Sequence, residues 1–173
     1  MKQGIVAVAL AGVCLGAVGS LQAAEGVELS TRVSGVVEEV LVKPGQRVKK
    51  GAVLLRLDRT VLQARLDEAN ADHARADADE EDARREFERA EELFNRTVSS
   101  TSELEAATLR HARAKAALAS AIARRTIAQK NLNDAELKAP FAGVVSAVPG
   151  GPGTVVSAEC QPRTLVILGK GTP

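Results

Sequence analysis

The sequence predicts an α+β fold in which a small β-sandwich, built from two similar halves, is interrupted by a long antiparallel α-helical hairpin. Two Gly-punctuated, β-branched segments resemble each other at a constant offset of 108 residues, from Gly35 and Gly143 to Val48 and Val156. Between them, residues 60–137 contain neither Gly nor Pro, which favours uninterrupted helix. The chain has three Phe and no Trp or Tyr, a composition that suits narrow helical seams better than a thick core.

Residues 1–24 have the pattern of a secretory signal peptide. Lys2 is followed by an apolar run, Ile5–Val18, and then by the small residues Ala23 and Ala24, near which we expect cleavage. A transmembrane anchor is disfavoured because the run is shorter than the ~20 residues that span a bilayer. The sequence therefore predicts an exported protein.

The charge balance of the exported chain argues against one class of function. Removal of the signal peptide leaves equal numbers of basic and acidic residues, which argues against nucleic-acid binding by a basic surface.

Removal of the signal peptide also leaves Cys160 as the single thiol, so no internal disulfide can form. We interpret Cys160 as an incidental loop residue, with pairing between two chains as the alternative.

The two similar segments predict the halves of one β-sandwich, residues 27–58 and 138–169, related by a pseudo-two-fold axis. Short β-branched runs separated by Gly and Pro are typical of strands joined by tight turns. Beyond Val48 the similarity continues from Val53–Leu57 to Leu165–Leu168 if the second half carries about three extra residues near Cys160.

Residues 59–137 predict the helical hairpin, with its tip near residues 96–101. Apolar residues recur in alternating steps of four and three along both arms, the pattern of a heptad seam. The first seam contains Leu62, Leu66, Ala69, His73, Ala76, Glu80, Ala83, Phe87, Ala90 and Phe94. The second contains Leu104, Ala107, His111, Ala114, Leu118, Ala121, Arg125, Ala128, Leu132 and Ala135.

Folding the chain at the predicted tip pairs residues whose numbers sum to 197 or 198, so that Phe87 faces His111. Two layers break the apolar rule, Glu80 against Leu118 and His73 against Arg125, and their charged groups are expected to reach water. We interpret the two histidines as seam residues, because neither has ligand partners at metal-binding spacing on its own arm. The acidic run at residues 77–82 is interpreted as a solvated helix face, since it lacks the loop of a calcium site.

This arrangement resembles the membrane fusion protein family, also called HlyD-like periplasmic adaptors, in which a split lipoyl-like (biotinyl/lipoyl) β-sandwich carries a coiled-coil hairpin. The resemblance covers nearly all of the exported chain. Its matching stretches are residues 35–37, 45–51, 55–58 and 137–145. The last of these, Leu-Lys-Ala-Pro-Phe-Ala-Gly-Val-Val after a helical hairpin, is quite specific.

The predicted tip carries a second match, because Arg89, Leu93 and Ser100 resemble the Arg/Leu/Ser tip signature of such adaptors. The resemblance implies that these residues contact the periplasmic end of a TolC-like outer-membrane channel. Arg89 and Leu93 lie one turn apart on one helix face, where they offer a forked cation and an apolar side chain. Ser100 would begin the second arm, where helix capping alone is the alternative reason for a Ser.

The resemblance further implies a periplasmic protein of the cell envelope, a homo-oligomer that links an inner-membrane transporter to the channel in a tripartite efflux or secretion system. Such adaptors usually carry a β-barrel domain and a membrane-proximal domain as well. Only residues 169–173 follow the last predicted strand, so we expect a short form without the β-barrel. In such adaptors these two domains contact the inner-membrane transporter, so the sequence does not predict how this chain would couple to one.

Other functions are less favoured. A lipoyl carrier needs a lysine at the turn between the halves, but Asp58 and Arg59 occupy it, so no cofactor is expected. No nucleophile motif and no open metal site are visible, so we expect no enzyme. The main alternative is a periplasmic coiled-coil spacer or holdase without a role in transport.

Overall fold

The computed structural model describes residues 26–97, 100–158 and 163–170. The predicted signal peptide and Cys160 lie outside these residues. The strands are β1 (Gly26–Leu29), β2 (Gly35–Val40), β3 (Arg47–Val48), β4 (Val53–Leu57), β5 (Glu136–Lys138), β6 (Gly143–Ala147), β7 (Val155–Val156) and β8 (Val166–Lys170). The helices are α1 (Thr60–Asn95) and α2 (Thr101–Asp134), both between β4 and β5.

The strands form two four-stranded antiparallel sheets, and each sheet contains strands from both halves of the chain. One has the order β1-β8-β6-β3 and the other β5-β4-β2-β7. The fold class predicted from the sequence, a split β-sandwich with an inserted antiparallel hairpin, is confirmed.

The backbone hydrogen bonds follow the sequence repeat. The N–H of Gly45 donates to the carbonyl of Val145 at 2.7 Å, and the N–H of Gly153 donates to the carbonyl of Val37 at 2.8 Å. Each of these four residues is 108 positions from its counterpart, so the two halves exchange equivalent bonds across a pseudo-two-fold axis. Gly45 and Gly153 also share a left-handed backbone, with φ of 85° and 81°, which glycine adopts without steric cost.

The strand registers confirm the predicted three-residue difference between the halves. Val37 pairs with Leu57 in the first half, whereas Val145 pairs with Leu168 in the second. The offset therefore rises from 108 on one strand to 111 on the next. The additional residues lie between β7 and β8.

One apolar cluster joins the sandwich to the lower part of the hairpin. Leu54, Leu55, Leu57, Leu165 and Leu168 are fully buried within the sandwich. Residues from the hairpin end nearest the sandwich pack into the same cluster, namely Leu62, Leu66, Leu132 and Ala135. The hairpin is thus continuous with the core of the sandwich.

The arms of the hairpin pack along the predicted seams. All the buried residues of α1 and α2 belong to those seams: Leu62, Leu66, Ala69, Ala76, Ala83, Ala107, Ala121 and Leu132. The rings of Phe87 and His111 stack with centroids 5.6 Å apart, which confirms their predicted pairing. The buried alanines of both seams have small side chains, which lets the two helices pack closely.

The prediction for one polar seam residue was wrong. The carboxylate of Glu80 does not turn to water; its Oε1 lies 3.0 Å from Nε2 of His111, and only 20% of its side chain is exposed. The pairing is possible because Glu80 lies two turns from Phe87 on the same face of α1, beside the stacked His111 ring. Arg125 is exposed as predicted, and its Nε donates to Asn70 Oδ1 at 2.8 Å.

Candidate docking site at the hairpin tip

The free end of the hairpin is formed by the last turns of α1 and the first turns of α2. Arg89 and Leu93 lie one turn apart on α1, as their spacing predicts, and both are exposed. Ser100 directly precedes α2, on the other side of the turn. Residues 98 and 99, within the predicted tip, lie outside the described part of the chain.

Arg89 and Leu93 border a groove between the two arms, with a volume of about 500 Å³. Three of its lining residues are alanines, whose small side chains leave space between the larger ones. The lining residues are Glu86, Arg89, Ala90, Leu93, Glu103, Ala106, Ala107 and Arg110. A cation and an apolar side chain therefore stand beside a concave surface, which suits insertion between the helices of another protein.

The charges around this groove leave Arg89 available. Arg110 of α2 forms an ion pair with Glu86 of α1 and so bridges the two arms. Arg96 pairs with Glu92, one turn earlier on α1, at 2.7 Å. Within the described residues Arg89 makes no hydrogen bond or ion pair, so its guanidinium retains all its donors for a partner.

Exposed apolar side chains continue from the groove to the end of α1. Leu93 is 39% exposed and Phe94 is 37% exposed. The heptad pattern placed Phe94 in the seam, and its exposure shows that the seam opens at the tip. The sequence-based prediction did not include Phe94 among the site residues, although Phe94 directly follows Leu93 and could have been included for that reason.

Ser100 caps helix α2. Its hydroxyl accepts a hydrogen bond from the backbone N–H of Glu103 at 3.3 Å, and the carboxylate of Glu103 accepts one from the backbone N–H of Ser100 at 3.1 Å. This reciprocal capping box satisfies two backbone donors at the start of the helix. The geometry supports the capping reason for Ser100, while its hydroxyl proton can still be donated.

A second polar cluster lies where the hairpin joins the sandwich. Glu136 Oε2 is 3.2 Å from Nζ of Lys138, and its Oε1 lies 3.4 Å from Arg56 and 3.6 Å from Arg59. The hydrogen bond from Lys138 lowers the pKa of Glu136; burial opposes this, and the positive charges of Arg56 and Arg59 add to the lowering. The cluster ties β4 and β5 together at the base of the hairpin, and sequence reasoning missed it because the pairing of these strands was unknown.

Helix α1 begins beside this cluster, at the turn where a lipoyl carrier would have its lysine. The carboxylate of Asp58 accepts a hydrogen bond from the backbone N–H of Thr60 at 2.8 Å. This bond, together with one from the Thr60 side chain, holds the pKa of Asp58 below its usual range. Asp58 thus helps to start the helix.

Within residues 26–97, 100–158 and 163–170, no group of three or more His, Cys, Asp or Glu side chains is arranged to hold a metal ion. In the same ranges, neither helix combines the length and hydropathy needed to cross a bilayer.

Comparison with known proteins agrees with this architecture. The family model described as "CzcB-like, barrel-sandwich hybrid domain" matches residues 25–164. The chain belongs to this family. Relatives of the domain include the efflux pump periplasmic linker BepD of Brucella suis, which is 32% identical over 145 residues, covering 84% of this chain and 36% of BepD. The membrane fusion protein MtrC of Neisseria gonorrhoeae is 35% identical over 140 residues, covering 81% of this chain and 34% of MtrC.

The crystal structure of ZneB from Cupriavidus metallidurans has a similar fold to this barrel-sandwich hybrid chain. It superposes with a TM-score of 0.61 at 22% identity, covering 86% of this chain and 62% of ZneB. The predicted membership of the membrane fusion protein family is confirmed by the family match and by these relatives. The chain spans about a third of the length of the two curated relatives.

Proposed function

We propose that the chain is the hairpin-bearing part of a periplasmic adaptor, which links an inner-membrane transporter to a TolC-like outer-membrane channel in an efflux or secretion assembly. The observation that carries this proposal is the exposed pair Arg89 and Leu93 beside the groove at the hairpin tip. The role is structural and involves no catalysis. Relatives named as efflux pump linkers and membrane fusion proteins support it.

The chemistry of the tip suits a channel built from helices. Arg89 can donate several hydrogen bonds in a fixed fork to carboxylates or to the carbonyls at a helix end. Leu93 adds an apolar side chain that is desolvated on docking, and full burial of a leucine contributes about 1.5–3 kcal/mol relative to leaving it exposed. Ser100 could add a hydrogen bond, but its cap already accounts for its presence.

The hairpin supplies the reach that docking requires. Helix α1 contains 36 residues, which corresponds to a length of about 54 Å at 1.5 Å per residue. Because the lower end of the hairpin shares the apolar cluster of the sandwich, we expect the sandwich to hold the tip at a fixed direction. Several copies side by side would form a ring of sandwiches and a tube of hairpins through which substrate passes.

Photo-crosslinking in the periplasm tests the proposal. A photoreactive residue at Leu93 should yield an adduct with an outer-membrane channel, whereas probes at Glu81 in the middle of α1 and at Lys170 in β8 should not. An exported, helical protein without a channel adduct from Leu93 would contradict docking and favour the spacer or holdase alternative.

Charge and polarity reversals give a functional test of the same surface. Arg89→Asp or Leu93→Asp should abolish export of substrate by the assembly. The far-UV circular dichroism spectrum of each variant should stay that of the unmodified chain. Matched controls are Arg75→Asp, which changes another exposed arginine of α1, and Ile122→Asp, which changes an exposed apolar residue of α2. Equal activity of the tip variants and their controls would refute the docking role.

A further inference from the structure

Two carboxylates of helix α1 are neighbours of the exposed Arg89 at the hairpin tip. Side chains three or four positions apart on one helix face each other. The residues at these positions around Arg89 are Arg85, Glu86, Glu92 and Leu93. Glu86 and Glu92 are therefore within reach of the Arg89 guanidinium, and an ion pair with either of them would compete with a docking partner.

Both carboxylates are bound by other arginines instead. Arg110 of α2 pairs with Glu86 across the groove, and Arg96 pairs with Glu92 at 2.7 Å. Within the described residues Arg89 itself makes no hydrogen bond or ion pair. Arg89 is thus the unpaired cation between two carboxylates that are already engaged.

Glu103 of α2, the other carboxylate that lines the groove, is engaged at the start of its own helix. Its side chain accepts a hydrogen bond from the backbone N–H of Ser100 at 3.1 Å, as part of the capping box. This bond satisfies a backbone donor that the helix leaves unpaired. Each carboxylate among the lining residues of the groove therefore has a partner other than Arg89.

We propose that Arg110 and Arg96 are positioning residues for docking, because by holding Glu86 and Glu92 they keep the Arg89 guanidinium unpaired and available to the channel. The inference rests on the proposed function, in which Arg89 is the donor that the channel binds. An arginine that is paired within its own chain must first break that pair, so its affinity for a partner falls with the fraction of molecules in which it is free. Neither positioning residue needs to touch the channel in this role.

The two ion pairs depend on different parts of the hairpin. Arg96 and Glu92 belong to the same helix, so their contact needs only an intact end of α1. Arg110 belongs to the other arm, so its contact with Glu86 requires the arms to be packed together at this level. Separation of the arms near the tip would release Glu86 to Arg89, and docking is therefore favoured by a closed hairpin.

The expected effects are modest because these groups are largely exposed. The side chains of Glu86 and Arg110 are 40% and 60% exposed, and an ion pair on an exposed helix face changes an equilibrium about twofold. An acid that precedes its base along a helix is the more favourable order. Glu86 precedes Arg89 and Glu92 follows it, so release of Glu86 should have the larger effect.

A substitution cycle read out by the Leu93 channel adduct tests the role of Arg110. The channel is kept limiting, so that the yield of adduct follows affinity. Arg110→Gln should lower the yield about twofold, and Arg110→Gln combined with Glu86→Gln should restore it, because no released carboxylate is left to pair with Arg89. A yield that is unchanged in the single variant, or that stays low in the double variant, would overturn the inference. The latter result would mean that Arg110 binds the channel itself or only holds the arms together.

The second cycle uses the pair within α1. Arg96→Gln should lower the adduct yield by less than Arg110→Gln, and addition of Glu92→Gln should restore it. The variant that lacks both arginines should show the product of the two single effects, since the released carboxylates lie on opposite sides of Arg89 along the helix. A larger loss for Arg96→Gln that Glu92→Gln does not reverse would contradict the proposed role of Arg96.

Arg84→Gln is the matched control for these substitutions. It removes the same charge from an exposed arginine of α1 and releases Glu88, with which Arg84 pairs at 2.8 Å. Glu88 is adjacent to Arg89 in the sequence, but consecutive residues of a helix do not face each other. The adduct yield should therefore stay that of the unmodified chain. A loss equal to that of Arg110→Gln would show that net charge, and not pairing with Arg89, controls docking.

Chemical modification measures the availability of Arg89 without a channel. Phenylglyoxal reacts with free guanidinium groups, and an ion pair protects a guanidinium from it. The initial rate of modification at Arg89, followed by mass spectrometry of the purified chain, should fall about twofold in Arg110→Gln and recover when Glu86→Gln is added. Equal rates in all three chains, with helices intact by circular dichroism, would overturn the inference.

The two readouts separate this inference from the proposed function. A modification rate that follows the substitution cycle, without a Leu93 adduct in any chain, would support the competition for Arg89 and contradict docking on the channel. A Leu93 adduct whose yield ignores both cycles would remove the inference and leave the adaptor role in place.

Discussion

Gly35 and Gly143 are equivalent in the repeat but differ in what surrounds them, which allows a matched prediction of stability. Both begin a strand, β2 or β6, with an ordinary extended backbone. A Cβ atom at Gly143 would lie much closer than 3.0 Å to the carbonyl oxygen of Gly169, and real Cβ atoms essentially never come so close to another atom. A Cβ at Gly35 would make an ordinary contact of 3.6 Å with Cδ1 of Leu57.

The difference arises from the insertion of the hairpin. Strand β8 continues past Leu168 to Gly169 and Lys170, which pair with β6. The equivalent strand β4 ends at Leu57 because the chain turns at Asp58 into the hairpin. The second half of the sandwich therefore has a backbone carbonyl where the first half has space.

Gly143→Ala should destabilise the chain by about 2–4 kcal/mol, because the strands must separate or lose hydrogen bonds. Gly35→Ala should be neutral or stabilise by up to about 1 kcal/mol, since alanine restricts the unfolded chain. Urea unfolding, followed by far-UV circular dichroism because Trp and Tyr are absent, should show separate midpoints. Amide hydrogen exchange in β6 and β8 locates the effect. Equal stability of the two variants would refute this reasoning.

Three further predictions concern the hairpin and its base. Folding lowers the pKa of Glu136, so the stability that this carboxylate contributes is present above its ordinary pKa of 4.5 and is lost as the pH falls through the lower pKa of the folded state. Glu136→Gln should therefore flatten the pH dependence of the free energy of unfolding in this range. An unchanged pH profile would contradict this prediction. Ser100→Ala should cost about 1 kcal/mol of stability and Ser100→Asp should retain it; if Ser100→Asp nevertheless loses the Leu93 channel adduct, the hydroxyl has a docking role as well. Ala121→Leu should overpack the seam, where Ala121 is fully buried, and cost about 1–3 kcal/mol in thermal or urea unfolding; unchanged stability would show that the arms separate without cost.

The sequence repeat predicted the strands but not their partners. The offset between Gly35 and Gly143 identified two equivalent segments, and the structure places strands at both. A repeat shows that two segments are alike, yet it does not tell whether each pairs within its own half. In the structure β3 pairs with β6 and β7 pairs with β2, so each half completes a sheet of the other.

The hairpin seam was predicted more completely than its polar contacts. Heptad spacing places Cβ positions, and the buried residues of both arms follow it. The approach of Glu80 to His111 depends on side-chain rotamers and on the height of the ring stacked on Phe87. These are properties of the packed pair of helices, so spacing along a single helix does not contain them.

The distribution of apolar volume along the hairpin relates the fold to the proposed docking. Near the sandwich the seam buries leucines, Leu62, Leu66 and Leu132, which share the core cluster. Further along, the buried seam residues are alanines, such as Ala83 and Ala107. Since burial of a leucine contributes more than burial of an alanine, the tip half of the hairpin is the less stable half within a single chain. The proposed docking on a channel would bury surface of this half, so the part of the hairpin that is least stable alone is the part that docking would stabilise most.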